Sequence, residues 1–186
     1  KDTPMKDLRG KVAVGTGGAG GIGRAIGEAM LAEGMQVVLA DVVDAQLEAT
    51  VKELGSKDVM GIRTDVTSFD SLCATREAAL ERFGAVHVIC NNAAVGAGAK
   101  GHVWEHHLND WKWSLEVNVI GVINGMNAFV PTLVAQNEGH VVNTASVSGL
   151  KGFPPLLPAY VASKFGVVGL TAVTARYYAQ HGIRVN

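Results

Sequence analysis

The feature that most constrains the fold is a glycine-rich turn between two apolar segments near the start of the chain. Residues 16–23 read TGGAGGIG and follow the apolar run Lys11-Val12-Ala13-Val14. The next residues, 24–32, have helical periodicity and end near Gly34. A strand, a glycine turn and a helix N-terminus form an anion site, because free N–H groups and the helix dipole face the anion and glycine lets it come close. The pattern predicts a pyrophosphate-binding turn.

Two spacings fit the glycines of this turn. One is Gly18-x-Gly20-x-x-Gly23, and the other is Thr16-Gly17-x-x-x-Gly21-x-Gly23. Because glycine fills four of the six positions from 18 to 23, the sequence leaves both open. A merely flexible glycine loop is the alternative. The residues assigned to cofactor binding here are Gly17, Gly20, Gly21, Ile22 and Gly23.

A carboxylate follows the second predicted strand. The apolar run 36–40 ends at Asp41, eighteen residues beyond Gly23. A carboxylate at this place can accept hydrogen bonds from both ribose hydroxyls of an adenosine, and it repels a 2′-phosphate. Asp41 and the adjoining Val42 therefore predict NAD rather than NADP. The alternative role for Asp41 is a turn or helix-cap residue before Asp44.

A possible acid–base pair lies near the other end of the chain. Tyr160 and Lys164 are four residues apart, about one helical turn, and Ser146 lies fourteen residues before Tyr160. An ammonium held near a phenol favours the phenolate, which can exchange a proton with a substrate hydroxyl. An exposed helix pair without chemistry is the alternative for Tyr-x-x-x-Lys alone.

Taken with the glycine turn, these residues resemble the short-chain dehydrogenase/reductases, in the subgroup with TGxxxGxG and YxxxK motifs. The likeness runs from about Leu8 to Asn186. It implies a Rossmann fold and four catalytic residues. These are Asn118, Ser146, Tyr160 and Lys164.

The same resemblance implies further roles. Tyr160 and Lys164 would also bind the cofactor, Lys164 through the nicotinamide ribose, and Asn118 would anchor a water that links Lys164 to solvent. Asp65 and Val66 would contact adenine. The remaining cofactor residues, in a stretch that resembles the family's Asn-Asn-Ala-Gly, are Asn92, Ala93 and Ala94.

Three positions depart from the family pattern. Ala94 replaces a glycine, which leaves cofactor binding plausible. Gly15 stands in the first strand where a bulky aliphatic residue is expected, and we expect it to weaken that strand. The spacing from Ser146 to Tyr160 is one residue longer than is common, and the loop with Pro154, Pro155 and Pro158 would absorb it. None of the three removes a catalytic group.

Alternating strands and helices predict an α/β fold with a doubly wound parallel sheet in a single domain, residues 8–186, after an N-terminal extension, residues 1–7. Strands are expected near 11–16, 36–41, 59–64, 86–91, 139–145 and 183–186, and helices near 22–34, 44–55, 68–83, 108–135 and 159–181. Left-handed glycine caps are expected at Gly34, Gly55, Gly84 and Gly182. The sequence stops inside a predicted strand, so we expect a C-terminal part beyond Asn186, to roughly 250 residues in all as the resemblance implies.

Composition narrows the function classes. The 186 residues are 48% apolar with a net charge of −1, and scattered basic residues give no sign of a nucleic-acid or membrane partner. The most apolar long stretch, 117–135, contains three asparagines and a proline, which we interpret as too polar for a membrane span. Cys73 and Cys90 lack a Cys-x-x-Cys pattern and predict free thiols in a reducing cytoplasm.

Other signals are weighed against simpler explanations. The string from His102 to His106 matches His-x-x-Glu-His, yet it follows a glycine cluster rather than lying on a helix, so solvated histidines are expected and no metal. No Gly-x-Ser-x-Gly elbow surrounds Ser146, which argues against a hydrolase. The three tryptophans, Trp104, Trp111 and Trp113, are expected at the amphipathic start of the long helix, with Trp104 free to line a pocket.

The sequence thus predicts an NAD-dependent oxidoreductase that interconverts a secondary alcohol and a ketone. Apolar residues between Ser146 and Tyr160, with Ala94, Val95 and Ala97, suggest an apolar substrate pocket or a subunit contact. The alternatives are an NAD-using epimerase or dehydratase of the same fold and a non-enzymatic nucleotide-binding protein. Apolar faces on the two long helices predict a homo-oligomer, a tetramer or a dimer. The residues cited for these faces are Val117, Ile120, Val122, Phe129, Leu133, Val167, Leu170 and Val173.

Overall fold

A parallel six-stranded sheet with helices on both faces organises the chain. The computed structural model describes Met5 and residues 7–96, 102–152 and 157–186. In chain order the elements are β1 (Val12–Thr16), α1 (Gly21–Ala32), β2 (Gln36–Asp41), α2 (Asp44–Leu54), β3 (Val59–Arg63), α3 (Phe69–Phe83), β4 (Val88–Asn91), α4 (Leu108–Leu115), α5 (Gly121–Gln136), β5 (Gly139–Asn143), α6 (Pro158–Tyr178) and β6 (Ile183–Val185).

The strand order places a crevice at one edge of the sheet. The strands lie in the order β3-β2-β1-β4-β5-β6, so the direction of winding reverses between β1 and β4. In open parallel sheets of this kind, ligands bind outside the carboxyl ends of the strands at that reversal. The predicted doubly wound α/β fold is confirmed, and the glycine turn follows β1 directly at this point.

Alternate residues of each strand serve two separate cores. Val14, Ile89 and Val141 face the side covered by α3, α5 and α6, where Phe129 and Leu133 are fully buried. Ala13, Leu39 and Cys90 face the side of α1 and α2. Because both faces are covered, the strands are almost continuously apolar in sequence.

Glycines end the helices where the sequence predicts. Gly34, Gly55, Gly84 and Gly182 all have positive φ, between 57° and 80°. A left-handed residue at this place lets the chain leave the helix while its N–H bonds a carbonyl of the last turn, as Gly84 N–H does with Leu80 at 2.8 Å. The predicted caps are confirmed.

Helices α4 and α5 form one continuous helix, Leu108–Gln136, joined by a π-helical turn over Glu116–Ile120. By length and composition alone this helix could cross a membrane. Its asparagines and proline therefore do not exclude a span, although the sequence analysis interpreted them in that way. Half of its most apolar window is buried inside the fold. Its apolar side chains pack against β4, β5 and α3, as expected for the core helix of a doubly wound sheet.

Gly15 lies within β1, paired with Leu39 and Cys90 across the ladder. All five residues of β1 are buried, and the strand is intact despite the glycine. A Cβ atom at Gly15 would meet nothing within 4 Å, so the position is an unfilled space in the core of the α1 side.

We therefore expect Gly15→Ala to stabilise the protein by about 1–2 kcal/mol, because it restricts the unfolded chain and buries a methyl group in free space. Thermal unfolding of the two full-length proteins measures this as a rise in Tm of a few degrees. Gly23→Ala is the matched control with the opposite sign, since its Cβ would lie 2.0 Å from the Gly17 carbonyl oxygen. A lower Tm for Gly15→Ala would show that the core on the α1 side has no room for a methyl group at this position.

Candidate cofactor and active site

The backbone of the turn after β1 distinguishes the two glycine spacings. Gly17 and Gly21 have positive φ, 67° and 52°, where side chains are strained. A Cβ at Gly23 would overlap the Gly17 carbonyl oxygen. At Gly20, with extended backbone, a Cβ would meet only the end of a flexible side chain, that of Gln46. The positions that require glycine therefore follow the spacing Thr16-Gly17-x-x-x-Gly21-x-Gly23.

The N-terminus of α1 faces this turn with its first N–H groups free for an anion. The first hydrogen bond that enters the helix runs from Arg24 N–H to Gly20 O, at 3.1 Å, and no side chain caps the helix. The N–H groups of residues 21–23 have no place in the helical ladder. Together with the close approach that the glycines allow, they fit a pyrophosphate.

Thr16 ties the turn to the end of β4. Its Oγ1 accepts hydrogen bonds from the N–H groups of Asn92 and Ala93, both at 3.0 Å, and Asn92 Nδ2 donates to the Thr16 carbonyl at 3.1 Å. Thr144 Oγ1 in turn donates to Asn92 Oδ1, at 3.2 Å. Thr16 thus holds the two strands on either side of the crevice in register, a role that the sequence analysis missed although the residue belongs to the motif.

Asp41 closes the other side of the turn. Its Oδ2 accepts from Ala19 N–H at 3.0 Å, and its Oδ1 accepts from Val43 N–H at 3.1 Å. The carboxylate therefore orders the glycine turn, and it also lines the crevice, where its remaining lone pairs can accept bonds from a ribose. Both roles that the sequence left open are compatible with this geometry.

A cavity of about 660 Å³ extends from Asp41 towards α4. The predicted adenine residues, Asp65 and Val66, line it with Val42, Ala93 and Ala94. The Asp65 carboxylate accepts bonds from the N–H and the hydroxyl of Thr67, which fixes the loop after β3. The opposite wall is one face of the long helix, which the sequence did not identify as part of the site. Its residues are Asn109, Lys112, Trp113, Glu116 and Val117.

A second cavity of about 590 Å³ joins the glycine turn to the predicted acid–base residues. Lys164 is only 2% exposed, and its Nζ donates to the Thr144 carbonyl at 2.7 Å. The Nζ atom lies 5.6 Å from the centre of the Tyr160 ring. Burial lowers the pKa of the Lys164 ammonium below its ordinary value. The pair is therefore not an exposed helix pair, as the alternative assumed.

Ser146 lies across this second cavity from α6, just after β5. Its Oγ accepts a hydrogen bond from Ser148 N–H at 3.1 Å, within a short 3₁₀ turn over Val147–Gly149. A hydroxyl that accepts from the backbone keeps its own proton to donate. Ser146 can therefore donate to an oxygen atom that enters the cavity beside Tyr160.

Asn118 is fully buried in the π-helical turn and lies outside both cavities. Its Oδ1 accepts from Val95 N–H at 2.8 Å, and its Nδ2 donates to Val95 O and to Ser163 Oγ, at 2.9 and 3.0 Å. Ser163 Oγ donates onward to the Tyr160 carbonyl at 2.7 Å. The amide therefore positions the loop after β4 and the first turn of α6. Both Nδ2 protons are thus used, so a water held by Asn118 would have to bond the second lone pair of Oδ1 or the backbone carbonyl.

Several apolar residues proposed for a substrate pocket, Ala97 and residues 153–156, lie outside the described residues. Within them, Leu157 lies 3.5 Å from where a Gly96 Cβ would be, so the loops after β4 and before α6 meet beside the crevice. Leu150 and Val147 are largely exposed. The predicted pocket is thus described only at its edges.

The histidine string forms a short 3₁₀ turn, Val103–Glu105, rather than a helix. Glu105 Oε2 accepts a bond from His102 N–H at 3.1 Å, and the His102 ring stacks on Trp104, with ring centres 4.2 Å apart. Trp104 is among the most exposed large apolar side chains and lines neither cavity, whereas Trp113 does line one. The described residues hold no cluster of three metal-ligating side chains.

Comparison with known proteins agrees with this fold. The family model for short chain dehydrogenases matches residues 11–186. A short-chain dehydrogenase/reductase from Burkholderia phymatum, solved in complex with NAD, is 45% identical and superposes with a TM-score of 0.91 over 97% of this chain and 65% of that one. The chain belongs to the short-chain dehydrogenase/reductase family.

Two curated relatives to which the chain is similar are named dehydrogenases. A 2,5-dichloro-2,5-cyclohexadiene-1,4-diol dehydrogenase of Sphingobium indicum is 38% identical over 98% of this chain and 72% of its own length. A 3-alpha-(or 20-beta)-hydroxysteroid dehydrogenase of Mycobacterium tuberculosis is 37% identical over 96% and 67%. The chain spans about two thirds of the length of these relatives, and only 60% of another.

Proposed function

We propose that the whole protein is an NAD-dependent oxidoreductase that interconverts an apolar secondary alcohol and a ketone. The observation that carries the proposal is the buried ammonium of Lys164, 5.6 Å from the Tyr160 ring, in one cavity with Ser146 and the glycine turn. Such an ammonium favours the phenolate, which a proton acceptor for an alcohol requires. The names of the relatives, which are dehydrogenases, favour this reaction over the epimerase, dehydratase and non-enzymatic alternatives.

In this proposal Tyr160, as phenolate, takes the proton of the substrate hydroxyl, and it returns the proton when a ketone is reduced. Ser146 donates a hydrogen bond to the same oxygen and stabilises the charge that develops there. Lys164, held by the Thr144 carbonyl, supplies the positive charge beside the phenol. Asn118 acts through Val95 and Ser163, which keeps Tyr160 at the crevice.

NAD, when bound, supplies the acceptor for the hydride of the alcohol. The free N–H groups of residues 21–23 would bind its pyrophosphate, and Asp41 its adenosine ribose. Val42, Asp65 and Val66 would contact the adenine, and Lys164 the nicotinamide ribose. The likeness to the Burkholderia structure with NAD supports this cofactor, and the Asp41 carboxylate supports NAD over NADP.

The substrate class follows from the relatives and from the apolar residues beside the crevice. A 3-alpha-hydroxysteroid and a cyclohexadienediol both carry secondary alcohols on rings. We therefore infer a cyclic secondary alcohol as the first class to test. The full-length protein, given NAD, is expected to produce absorbance at the NADH wavelength with some member of a panel of cyclic alcohols. If the protein binds NAD but oxidises no alcohol of the panel, the result would favour the non-enzymatic alternative.

We also propose a cytoplasmic location, as the sequence suggests. Cys73 and Cys90 are free thiols, and burial raises the pKa of the Cys90 thiol to about 12. Free cysteines are usual where the surroundings are reducing.

The proposed homo-oligomer rests on a different surface from the one inferred from sequence. Of the residues cited for it, Val122, Phe129, Leu133 and Val167 are buried in the core, and only Ile120 and Val173 are exposed. The helices are apolar on two sides, and periodicity alone could not show which side faces the sheet. An exposed apolar stripe remains along α6. Its residues are Ala162, Phe165, Gly166, Gly169, Ala172 and Val173.

This α6 stripe supports a two-fold contact between copies, because its small residues let a second helix approach closely. We expect Gly169→Arg to break that contact and to lower the mass of the oligomer, while each subunit stays folded. A side chain at Gly169 meets nothing within 4 Å in the protomer. Light scattering on the full-length protein gives the mass.

Ala49→Arg, on the exposed side of α2, is the control for the added charge, and it should leave the mass unchanged. An unaltered oligomer in Gly169→Arg would contradict the α6 contact, and a monomeric wild-type protein would contradict the homo-oligomer itself.

A further inference from the structure

Gln46 lies over the glycine turn although no sequence pattern points to it. It is an exposed residue in the first turn of α2, five positions beyond Asp41. Its Nε2 lies 2.5 Å from where a Cβ of Gly20 would be. Gln46 and Asp41 line the same cavity as the glycine turn. Because Gly20 has no side chain, the Gln46 amide can lie in the crevice at this position.

The chemistry of this pair of side chains complements a ribose. Asp41 offers only acceptors, two of whose bonds already go to Ala19 and Val43. A vicinal diol has two O–H donors but also oxygen lone pairs, and these need a donor. The Gln46 carboxamide has two N–H donors, and no other described residue accepts a bond from them.

We propose that Gln46 is a cofactor-binding residue that donates a hydrogen bond to the 2′-hydroxyl of the adenosine ribose held by Asp41. The proposal rests on NAD as the cofactor of the proposed function. It adds a donor beside Asp41, whose carboxylate has only acceptors and repels a 2′-phosphate. Gly20 takes part by leaving the amide room rather than by touching the cofactor itself.

The test is the affinity of the full-length protein for NAD and NADP, measured by calorimetry in the absence of substrate. Gln46→Ala is expected to weaken NAD binding about three- to tenfold, the effect of one neutral hydrogen bond. NADP binding should weaken as well, because its 2′-phosphate oxygens can accept from the same amide. The NAD analogue without the adenosine 2′-hydroxyl should bind equally well to the wild type and to Gln46→Ala. Glu48→Ala, one half-turn further along α2 and outside the cofactor crevice, is the matched control and should change neither affinity.

A double-mutant cycle with Gly20 isolates the amide. Gly20→Ala keeps the extended backbone of this position, but its Cβ displaces the Gln46 amide. We expect the same loss of NAD affinity as in Gln46→Ala, and no further loss when both changes are combined. If Gly20→Ala lowers NAD affinity by the same factor in the wild type and in Gln46→Ala, the two effects are independent and the proposal is overturned.

The remaining outcomes are also decisive. An unchanged NAD affinity in Gln46→Ala overturns the proposal and leaves the proposed function intact. Equal weakening of NAD and of its analogue without the adenosine 2′-hydroxyl assigns the amide to another part of the cofactor and overturns the 2′-hydroxyl contact. A wild-type protein that binds neither cofactor refutes the proposed function itself, whatever Gln46 does.

Discussion

Tyr160→Phe is expected to lower kcat by about 10²–10⁴-fold, the usual contribution of a general acid–base group. The change removes the proton carrier and keeps the ring. In the described part of the chain no group forms a hydrogen bond with the Tyr160 hydroxyl, so its loss leaves no partner unsatisfied there. NAD affinity should therefore stay nearly unchanged, as calorimetry would measure it, and thermal unfolding should show an intact fold.

Tyr177→Phe is the matched control for this variant. Tyr177 lies on the last turns of the same helix, is 65% exposed and lines neither cavity. Its hydroxyl should be dispensable for turnover. If Tyr160→Phe retained more than about a tenth of the wild-type rate, the acid–base role of Tyr160 would be wrong, because the smallest effect expected of such a group is about a hundredfold.

The second large effect concerns the choice between cofactors. We expect NAD to bind at least tenfold more tightly than NADP, about 1.4 kcal/mol or more, because the 2′-phosphate would meet the Asp41 carboxylate. Fluorescence titration of each cofactor measures the ratio. Equal or reversed affinities would contradict the assignment of Asp41 to the ribose.

The structure shows which variant of Asp41 tests this cleanly. Asp41→Ala should reduce the difference between the affinities for NAD and NADP. It also removes the acceptors for Ala19 and Val43 N–H and thereby loosens the glycine turn. Asp41→Asn removes the charge and keeps one of the two oxygen acceptors, so the turn loses one of these bonds rather than both. We expect it to narrow the gap mainly by a gain in NADP affinity. A loss of NAD affinity alone, with no gain for NADP, would show that the charge does not select the cofactor.

Much of the fold could be predicted because its signals are local. Alternating apolar runs and helical periodicity gave the six strands and the long helices within a few residues of their ends. Glycine at positions such as Gly84 marks a helix end because the left-handed conformation is strained for other residues. The cavity residues that follow the strands could also be anticipated, since the carboxyl ends of parallel strands and the helix starts that follow them meet at one edge of the sheet. The wall formed by the long helix and the Gln46 amide could not.

The sequence was least informative where several glycines lie close together and where a helix has apolar residues on every side. Four glycines in six positions allowed two spacings. The positive φ values of Gly17 and Gly21, against the extended backbone of Gly20, distinguished them. On the long helices, apolar residues occur all round. Val167 and Val173 look alike in sequence, yet one is buried in the core and the other is exposed.

Sequence patterns were enough to predict the sheet, the helices and a set of polar residues that could bind NAD and move a proton. The partner that each of these residues takes became known from the packing of the folded chain. The Asn118 amide bonds Val95 and Ser163, Lys164 is buried against Thr144, and Gln46 lies over Gly20. These pairs join segments that are far apart in the chain. Their contacts depend on how the helices pack on the sheet, which local periodicity does not encode.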